Sequence, residues 1–412
     1  MFDVDSLRRQ FPALGITRDG CTPIFCDGPA GTQVPTRVID AITHYLTHNN
    51  ANHGGAFATS VESDRLLEQA HVAVADFLNA PSAEEVVFGQ NMTSLAFHLG
   101  RSLTRVLRPG DEVIVTRLDH DANVTPWVLA ARDAGAEVRW IDVHPEDCTL
   151  DLETLDRQLN AKTKWVAVGL ASNVAGTIND VTEITRRAHA VGAKVFVDAV
   201  HYAPHGLIDV QAIGCDFLAC SAYKFFGPHT GILWGRRELL ESWPVYKLRP
   251  SSNALPGKWM IGTQSHECIA GVKAAIEYLA DLKPSSGMGR RHRLETSLAS
   301  LHDYEREIGK RLLAGLVERD RFKVWGIRDP QRWDWRVPTF SFTDRYLSPT
   351  RLVEFLAQRH IHAWAGNNYA LEISERLGVE QTGGFVRLGL LHYNTHAEVD
   401  KVLAALDALP RA

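Results

Sequence analysis

Between residues 84 and 235 short apolar runs alternate with longer amphipathic stretches, and this alternation restricts the chain more than any other feature in it. The runs at 85–89 (EVVFG), 112–116 (EVIVT), 137–141 (EVRWI), 164–170 (KWVAVGL), 194–198 (KVFVD), 217–221 (FLACS) and 231–235 (GILWG) are rich in Val, Ile, Leu and Phe. Strands covered on both faces read this way. Stretches 93–107, 123–134 and 181–191 between them read as helices, closed by the Arg108-Pro109-Gly110-Asp111 turn, by Gly135 and by Gly192. Strand and helix in such alternation predict stacked βα units around a mostly parallel, seven-stranded sheet, an α/β fold.

The rhythm breaks at 251–265 (SSNALPGKWMIGTQS), a Ser, Gly and Pro-rich loop leading into a helix at 266–282. Lys283-Pro284-Ser285-Ser286-Gly287 reads as a linker. A long helix at 294–319, strands at 322–325 and 339–342, a helix at 349–359 and a strand at 385–389 follow, the pattern of a smaller C-terminal α+β domain. A chain of 412 residues accommodates two such domains with a shared core.

Charge and composition remove several classes of function. The 44 basic residues are mixed among 49 acidic ones for a net charge of -5, so no basic stripe invites nucleic acid. No run approaches the ~20 apolar residues that span a bilayer, and MFDVDSLRRQFPAL lacks the apolar segment of a signal peptide. A cytoplasmic enzyme is expected. The six cysteines include no Cys-x-x-Cys pair, so most are read as reduced core residues. His44 with His48 and His392 with His396 stand at helical spacing, but neither pair brings a third ligand, and no metal site is expected.

In doubly wound sheets ligands bind outside the carboxyl ends of the strands, so the residues just after each run carry the information. FLACS is followed by Ala222-Tyr223-Lys224-Phe225-Phe226-Gly227, a lysine in an aromatic turn, where desolvation favours the neutral amine that a Schiff base needs. KVFVD ends in Asp198, a carboxylate able to pair with a pyridinium nitrogen. His201 stands three residues on. Gln90-Asn91-Met92-Thr93-Ser94 opens a helix whose free N–H groups suit an anion. Asp119-His120-Asp121 sets an imidazole between two carboxylates, an arrangement expected to raise its pKa. Taken one at a time, each also reads as ordinary structure: a solvated lysine, a capping aspartate or threonine, a buried histidine.

Together these motifs resemble the class V aminotransferase and cysteine desulfurase superfamily, across nearly the whole chain. SAYKFFGPHTGILWG is similar to its lysine motif, VFVDAVHYAPH to its Asp-x-x-Gln/His motif and LDHDANVTPW to its histidine motif. The resemblance implies the pyridoxal 5'-phosphate (PLP)-dependent transferase fold type I. An N-terminal arm (1–20) would pack with the small domain, a large domain (21–265) would bind PLP, and residues 266–412 would supply an interdomain helix and the small domain. It further implies that Lys224 holds PLP as a Schiff base, Asp198 pairs with the pyridine nitrogen, His201 reaches the phenolic oxygen and His120 stacks on the ring. Met92, Thr93 and Ser221 would hold the phosphate. Ile261-Gly262-Thr263-Gln264 is similar to a segment that crosses a dimer interface, which implies a homodimer with Thr263 at the other subunit's phosphate. Asn173 and Arg387 would bind the substrate carboxylate, the planar guanidinium through paired bonds.

The chain departs from the desulfurase pattern at two places. Gly54, in Ala51-Asn52-His53-Gly54-Gly55, occupies a position where the desulfurase branch carries arginine. Trp364-Ala365-Gly366-Asn367-Asn368-Tyr369-Ala370 has Trp364 at the arginine position and Tyr369 at that of a nucleophilic cysteine in a mobile loop. A phenol cannot accept sulfur as a thiolate does. Trp364 and Tyr369 instead suggest an aromatic-lined pocket. The expected chemistry is removal of the Cα proton of a small amino acid by Lys224 to give a quinonoid carbanion, then loss of a β-sulfur with His120 or Tyr369 as acid: a carbon-sulfur β-lyase. Transamination, epimerisation and a non-catalytic PLP-binding role are the alternatives.

Overall fold

A computed structural model describes residues 3–283 and 287–411; Pro284-Ser285-Ser286 of the expected linker lie outside the described residues. All seven expected strands form one sheet: β1 (Val86–Gly89), β2 (Glu112–Thr116), β3 (Glu137–Ile141), β4 (Thr163–Gly169), β5 (Lys194–Asp198), β6 (Phe217–Ser221) and β7 (Gly231–Gly235). Their order is β1-β7-β6-β5-β4-β2-β3, with only β7 running against its neighbours. The mostly parallel α/β sheet of the fold type I reading is therefore present.

The period of two along each strand divides the core into two layers. Val166, Val168, Val195, Val197 and Leu218 pack on one face, Trp165, Ala167, Phe196, Phe217 and Ala219 on the other, all inaccessible to solvent. EVRWI departs from the expectation of two covered faces, because β3 closes the sheet's edge. Its Arg139 lies at the surface and pairs with Glu112 at 3.0 Å and Glu137 at 2.8 Å.

The helices begin and end within a few residues of their expected positions. α1 (Met92–Thr104) follows β1, α2 (Thr125–Ala134) ends on Gly135 in the left-handed region, and α3 (His266–Ala280) is mostly buried. α4 (Arg290–Val317) starts four residues before the expected 294, since RRH carries no apolar periodicity although Arg290 is tied to Asp76 and Glu277. Beyond it β8 (Phe322–Trp325), β9 (Thr339–Asp344), β10 (Trp364–Gly366) and β11 (Phe385–Gly389) form an antiparallel sheet in the order β8-β9-β11-β10. At the other end of the chain Arg8 pairs with Glu398 at 2.8 Å, and Phe11 packs edge-on against Phe226, Tyr278 and Tyr393.

Candidate active site

Parallel strands deliver their carboxyl ends to one edge, and Gly169, Asp198 and Ser221 terminate β4, β5 and β6 there. Gly231, the first residue of β7, faces Ser221 in register. A Cβ on Gly231 would lie 2.4 Å from the Asn91 backbone, so glycine lets the start of α1 settle on the strand ends. Between these groups is a cavity of about 510 Å³ lined by Met92, Thr93, His120, Asn173, Asp198, His201, Ser221 and Lys224. An adjoining cavity of about 650 Å³ shares Thr93, His120, Asn173 and Lys224 and adds Arg387, Trp364 and Tyr369. Thr263, by contrast, is exposed in the loop before α3 and lines neither cavity, nor do residues 51–55.

Lys224 follows β6 in a single 3-10 turn, its amine donating to the Pro29 carbonyl and lying 5.1 Å from the Tyr223 ring centre. Burial, and then the nearby Arg387 charge, bring its pKa down to about 7 against the opposing pull of Asp198. A substantial fraction of the amine is thus unprotonated at neutral pH. Asp198 Oδ1 accepts from the Val200 amide at 2.8 Å, and burial raises this carboxyl to about 6.

His120 departs from its expected chemistry. Its pKa is lowered to about 4, chiefly by burial and then by the charges of Lys224 and Arg387. The flanking carboxylates give it no support because both are engaged elsewhere. Asp119 turns inward to accept from the Gly169 amide at 2.9 Å and from Asn123 Nδ2 at 2.9 Å, and burial pushes it up to about 8. Asp121 accepts from the Thr125 hydroxyl at 2.8 Å. The Ala122 amide donates to His120 Nδ1 at 3.0 Å, which assigns the proton of the neutral ring to Nε2.

At the head of α1 the Met92 amide donates to Ser221 Oγ at 2.9 Å and the Ser94 amide to Asn91 Oδ1 at 2.8 Å. Asn91 is therefore the cap, rather than Thr93 or Ser94. Among the described residues the Thr93 amide has no acceptor, and Thr93 faces the cavity. A helix start with one amide free suits a phosphate. His201, expected at a phenolic oxygen, is buried with Nε2 3.0 Å from Thr339 Oγ1 and is held well below its ordinary pKa by burial. It still lines the cavity wall.

Arg387 lies on β11, paired in register with Trp364, and is only 5% exposed. Its Nη1 donates to the Asn173 carbonyl at 2.9 Å, while Arg387 Nε and Asn173 Oδ1 are buried without a partner among the described residues. Burial brings this guanidinium down to about 9. A buried cation with an unsatisfied donor suits a carboxylate ligand. These features fit PLP and an amino acid: an amine of lowered pKa for an aldehyde, a buried carboxylate for a ring nitrogen, a free helix start for phosphate.

Some cavity residues carried no assigned role in the sequence. Tyr223 lines both cavities and stacks on His229 at 4.8 Å. Its place beside Lys224 was the available signal. The Pro29 carbonyl, 195 residues from Lys224, had none.

An aminotransferase class-V family model matches residues 24–402. A probable cysteine desulfurase of Streptomyces coelicolor is 33% identical, over 99% of this chain and 97% of that protein. The aminotransferase-like protein FGM3 of Gibberella zeae is 33% identical over 98% of both. Among solved structures, the cysteine desulfurase CsdA of Escherichia coli, in its S-sulfonic acid form, superposes with a TM-score of 0.84 at 26% identity, covering 99% of this chain and 98% of that one.

Proposed function

The chain belongs to the aminotransferase class-V family, whose enzymes depend on PLP, and from that premise we propose that it is a carbon-sulfur β-lyase acting on a small S-substituted amino acid. The observation that carries the reading is the character of the cavities. A buried amine of lowered pKa, a buried carboxylate and a guanidinium with an unpaired Nε converge there, and among the described residues no cysteine lines either cavity. Buried Cys26, Cys148, Cys215 and Cys220 lie in the core, their thiols pushed up by desolvation, so none is poised as a thiolate. The relatives named as cysteine desulfurases favour carbon-sulfur cleavage over transamination and epimerisation.

In this reading Lys224 and Asp198 would hold the cofactor, with His120 against its ring, His201 toward its phenolic oxygen and Met92, Thr93 and Ser221 at its phosphate. Bound there, PLP would supply an aldehyde carbon for the substrate amine and a cationic ring to take up the electron pair released at Cα. Asp198 keeps a proton at the ring nitrogen. Arg387 and Asn173 bind the substrate carboxylate and so orient the Cα–H bond. Lys224 Nζ, freed as neutral amine, receives the Cα proton. The Cβ–S bond breaks with its electron pair going to sulfur while the pair released at Cα closes a Cα=Cβ double bond; His120, which holds its proton at Nε2, donates a hydrogen bond to the departing thiolate, and the proton held by Lys224 Nζ passes to sulfur. The net change is R–S–CH2–CH(NH3+)–COO− plus water to R–SH, pyruvate and ammonium.

The same reading makes the protein a cytoplasmic homodimer of a large PLP-binding domain and a smaller C-terminal domain, with Thr263 at the partner's phosphate. Exposed Ile39, Leu46, Phe57, Val61 and Ile261 support a surface covered by a second copy. No helix among the described residues is long and apolar enough to cross a membrane. The test is to supply the PLP-loaded protein with a panel of S-substituted L-cysteines. Pyruvate and thiol in equal amounts, absent with Lys224→Ala, are expected. An intact keto acid with an aminated cofactor, or a racemised substrate, would replace the proposal by one of its alternatives.

A further inference from the structure

The second cavity offers far more room than the thiol of cysteine needs, and its mouth is aromatic. Phe97 on α1, Trp364 on β10 and Tyr369 in the turn beyond remain 38%, 51% and 73% exposed, and all three line the same space. Three large rings left in solvent around one opening are unfavourable for a free surface and favourable for a ligand. The Tyr369 ring lies parallel to His120 at 5.4 Å and 18°, so it stands directly over the groups that handle the amino acid.

This rim is built as a wall. Asn368 and Tyr369 both sit at positive φ, 54° and 60°, where residues other than glycine stay only if neighbours hold them. Four hydrogen bonds do so. Asn173 Nδ2 donates to the Asn368 carbonyl at 2.8 Å, and the Asp121 amide to the Tyr369 carbonyl at 2.7 Å. The Tyr369 amide donates to Asn367 Oδ1 at 3.0 Å, and Asn367 Nδ2 to Glu380 at 3.1 Å. Through Asp121 and Asn173 the loops that follow β2 and β4 thereby brace the rim from below. A segment braced at both ends shapes a pocket and does not carry a group in and out. The charges beside it, Lys224 and Arg387, are committed to the amino-acid end, while Asp121 is bonded to Thr125, Asn367 to Glu380 and Asn368 Nδ2 to the Gly366 carbonyl at 2.9 Å, so the ring faces are the largest surface left for whatever extends beyond.

We propose that the second cavity receives the sulfur substituent of the substrate, and that this substituent is a flat aromatic or heteroaromatic ring selected by Trp364, Tyr369 and Phe97 over a small group. The inference rests on the β-lyase reading for the sulfur atom alone; the preference for a ring belongs to the cavity itself. Offset or edge-on ring contacts at two of the three side chains, added to the apolar area covered, favour a phenyl over a methyl substituent by at least about tenfold in affinity.

Two amino acids that contain no sulfur and cannot undergo elimination isolate that preference. L-Homophenylalanine has the shape of S-phenyl-L-cysteine, and L-norvaline that of S-methyl-L-cysteine. Titrated against the PLP-loaded protein, with intrinsic tryptophan fluorescence and the cofactor absorption band as readouts, homophenylalanine should bind at least about tenfold more tightly. Trp364→Ala should reduce that ratio to below about threefold, and Trp364→Phe, which restores a ring, should recover most of it. Equal affinities in the wild type, or a ratio unmoved by Trp364→Ala, overturn the inference even if S-methyl-L-cysteine yields pyruvate. A clear preference for homophenylalanine that Trp364→Ala abolishes sustains it even if no S-substituted cysteine yields pyruvate, the result that would remove the β-lyase reading instead.

Discussion

At the floor of the site Asp198 and Ser221 end buried strands and Lys224 stands three residues beyond one, whereas at the lip Trp364 and Tyr369 belong to a three-residue edge strand and the exposed turn after it. The floor is held by the packing of a seven-stranded sheet on both faces, so its side chains are desolvated, and burial brings Lys224 down to about 7, Asp119 up to about 8 and His120 down to about 4. The lip is held by a few hydrogen bonds to side chains and backbone of the floor. Chemistry needs the first arrangement, since proton transfer depends on shifted pKa values, and selection among substrates needs the second, since an open rim can be recut without disturbing the core.

If this division is right, substitutions should fall in effect from floor to lip. Lys224→Ala should lower turnover by at least about 10³-fold, as loss of a proton-transfer group does, with no rescue by Lys224→Arg, whose guanidinium stays protonated. A variant that keeps its pyruvate release would break the comparison at its strongest point. Under the proposed function Arg387→Ala would remove a charged hydrogen bond to the substrate carboxylate and should raise KM by about 10- to 100-fold with a smaller change in kcat. In the cofactor-free protein, capture of PLP by Lys224 should slow about tenfold per unit below pH 7, because the neutral amine that attacks an aldehyde is lost as pH falls through about 7. A capture rate flat from pH 5 to 8 would show that this amine is not the one that takes the cofactor.

Asp119 tests the floor through stability alone. Its folded pKa, about 8, exceeds the ordinary 3.8, so the folded chain binds the extra proton and is favoured at low pH. That advantage is lost as pH rises through the window from about 4 to 8. In the cofactor-free protein, Asp119→Asn should flatten the decline of Tm across this window. The smallest effect is expected at the lip: Asn367→Ala frees one bond to Glu380 and one to the Tyr369 amide, about 1 kcal/mol each, and should leave pyruvate release from a small substrate within a fewfold of wild type. A loss as large as that of Arg387→Ala would mean that the rim belongs to the machinery of the floor.

Six of the seven strands were legible because burial on both faces leaves a run of Val, Ile, Leu and Phe that needs no partner to be recognised; the edge strand β3 lacks that burial. β10 was not. Trp364-Ala365-Gly366 is short and at a sheet edge, and only pairing with β11 makes it a strand. The same contrast runs through the site. Lys224 and Asp198 were readable from strand ends, while the pKa of His120 was misread in direction, since proximity in sequence to Asp119 and Asp121 says nothing of where those carboxylates point. Glycine at 169 is part of the answer, because a Cβ there would lie 2.7 Å from Asp119 Oδ1.

The sequence by itself therefore determined the order of strands and helices, the presence of a lysine and an aspartate at adjacent strand ends, and the absence of a cysteine at position 369. These are local properties, written in periodicity and in the residue that follows each run. Only the tertiary structure decided that Pro29, Asn173 and Arg387, drawn from segments far apart in the chain, meet at Lys224, that both carboxylates beside His120 turn away, and that the rim stands fixed over the floor. Those outcomes depend on how two sheets pack and on which charges lose water when they do, and neither is encoded in the spacing of residues along one strand.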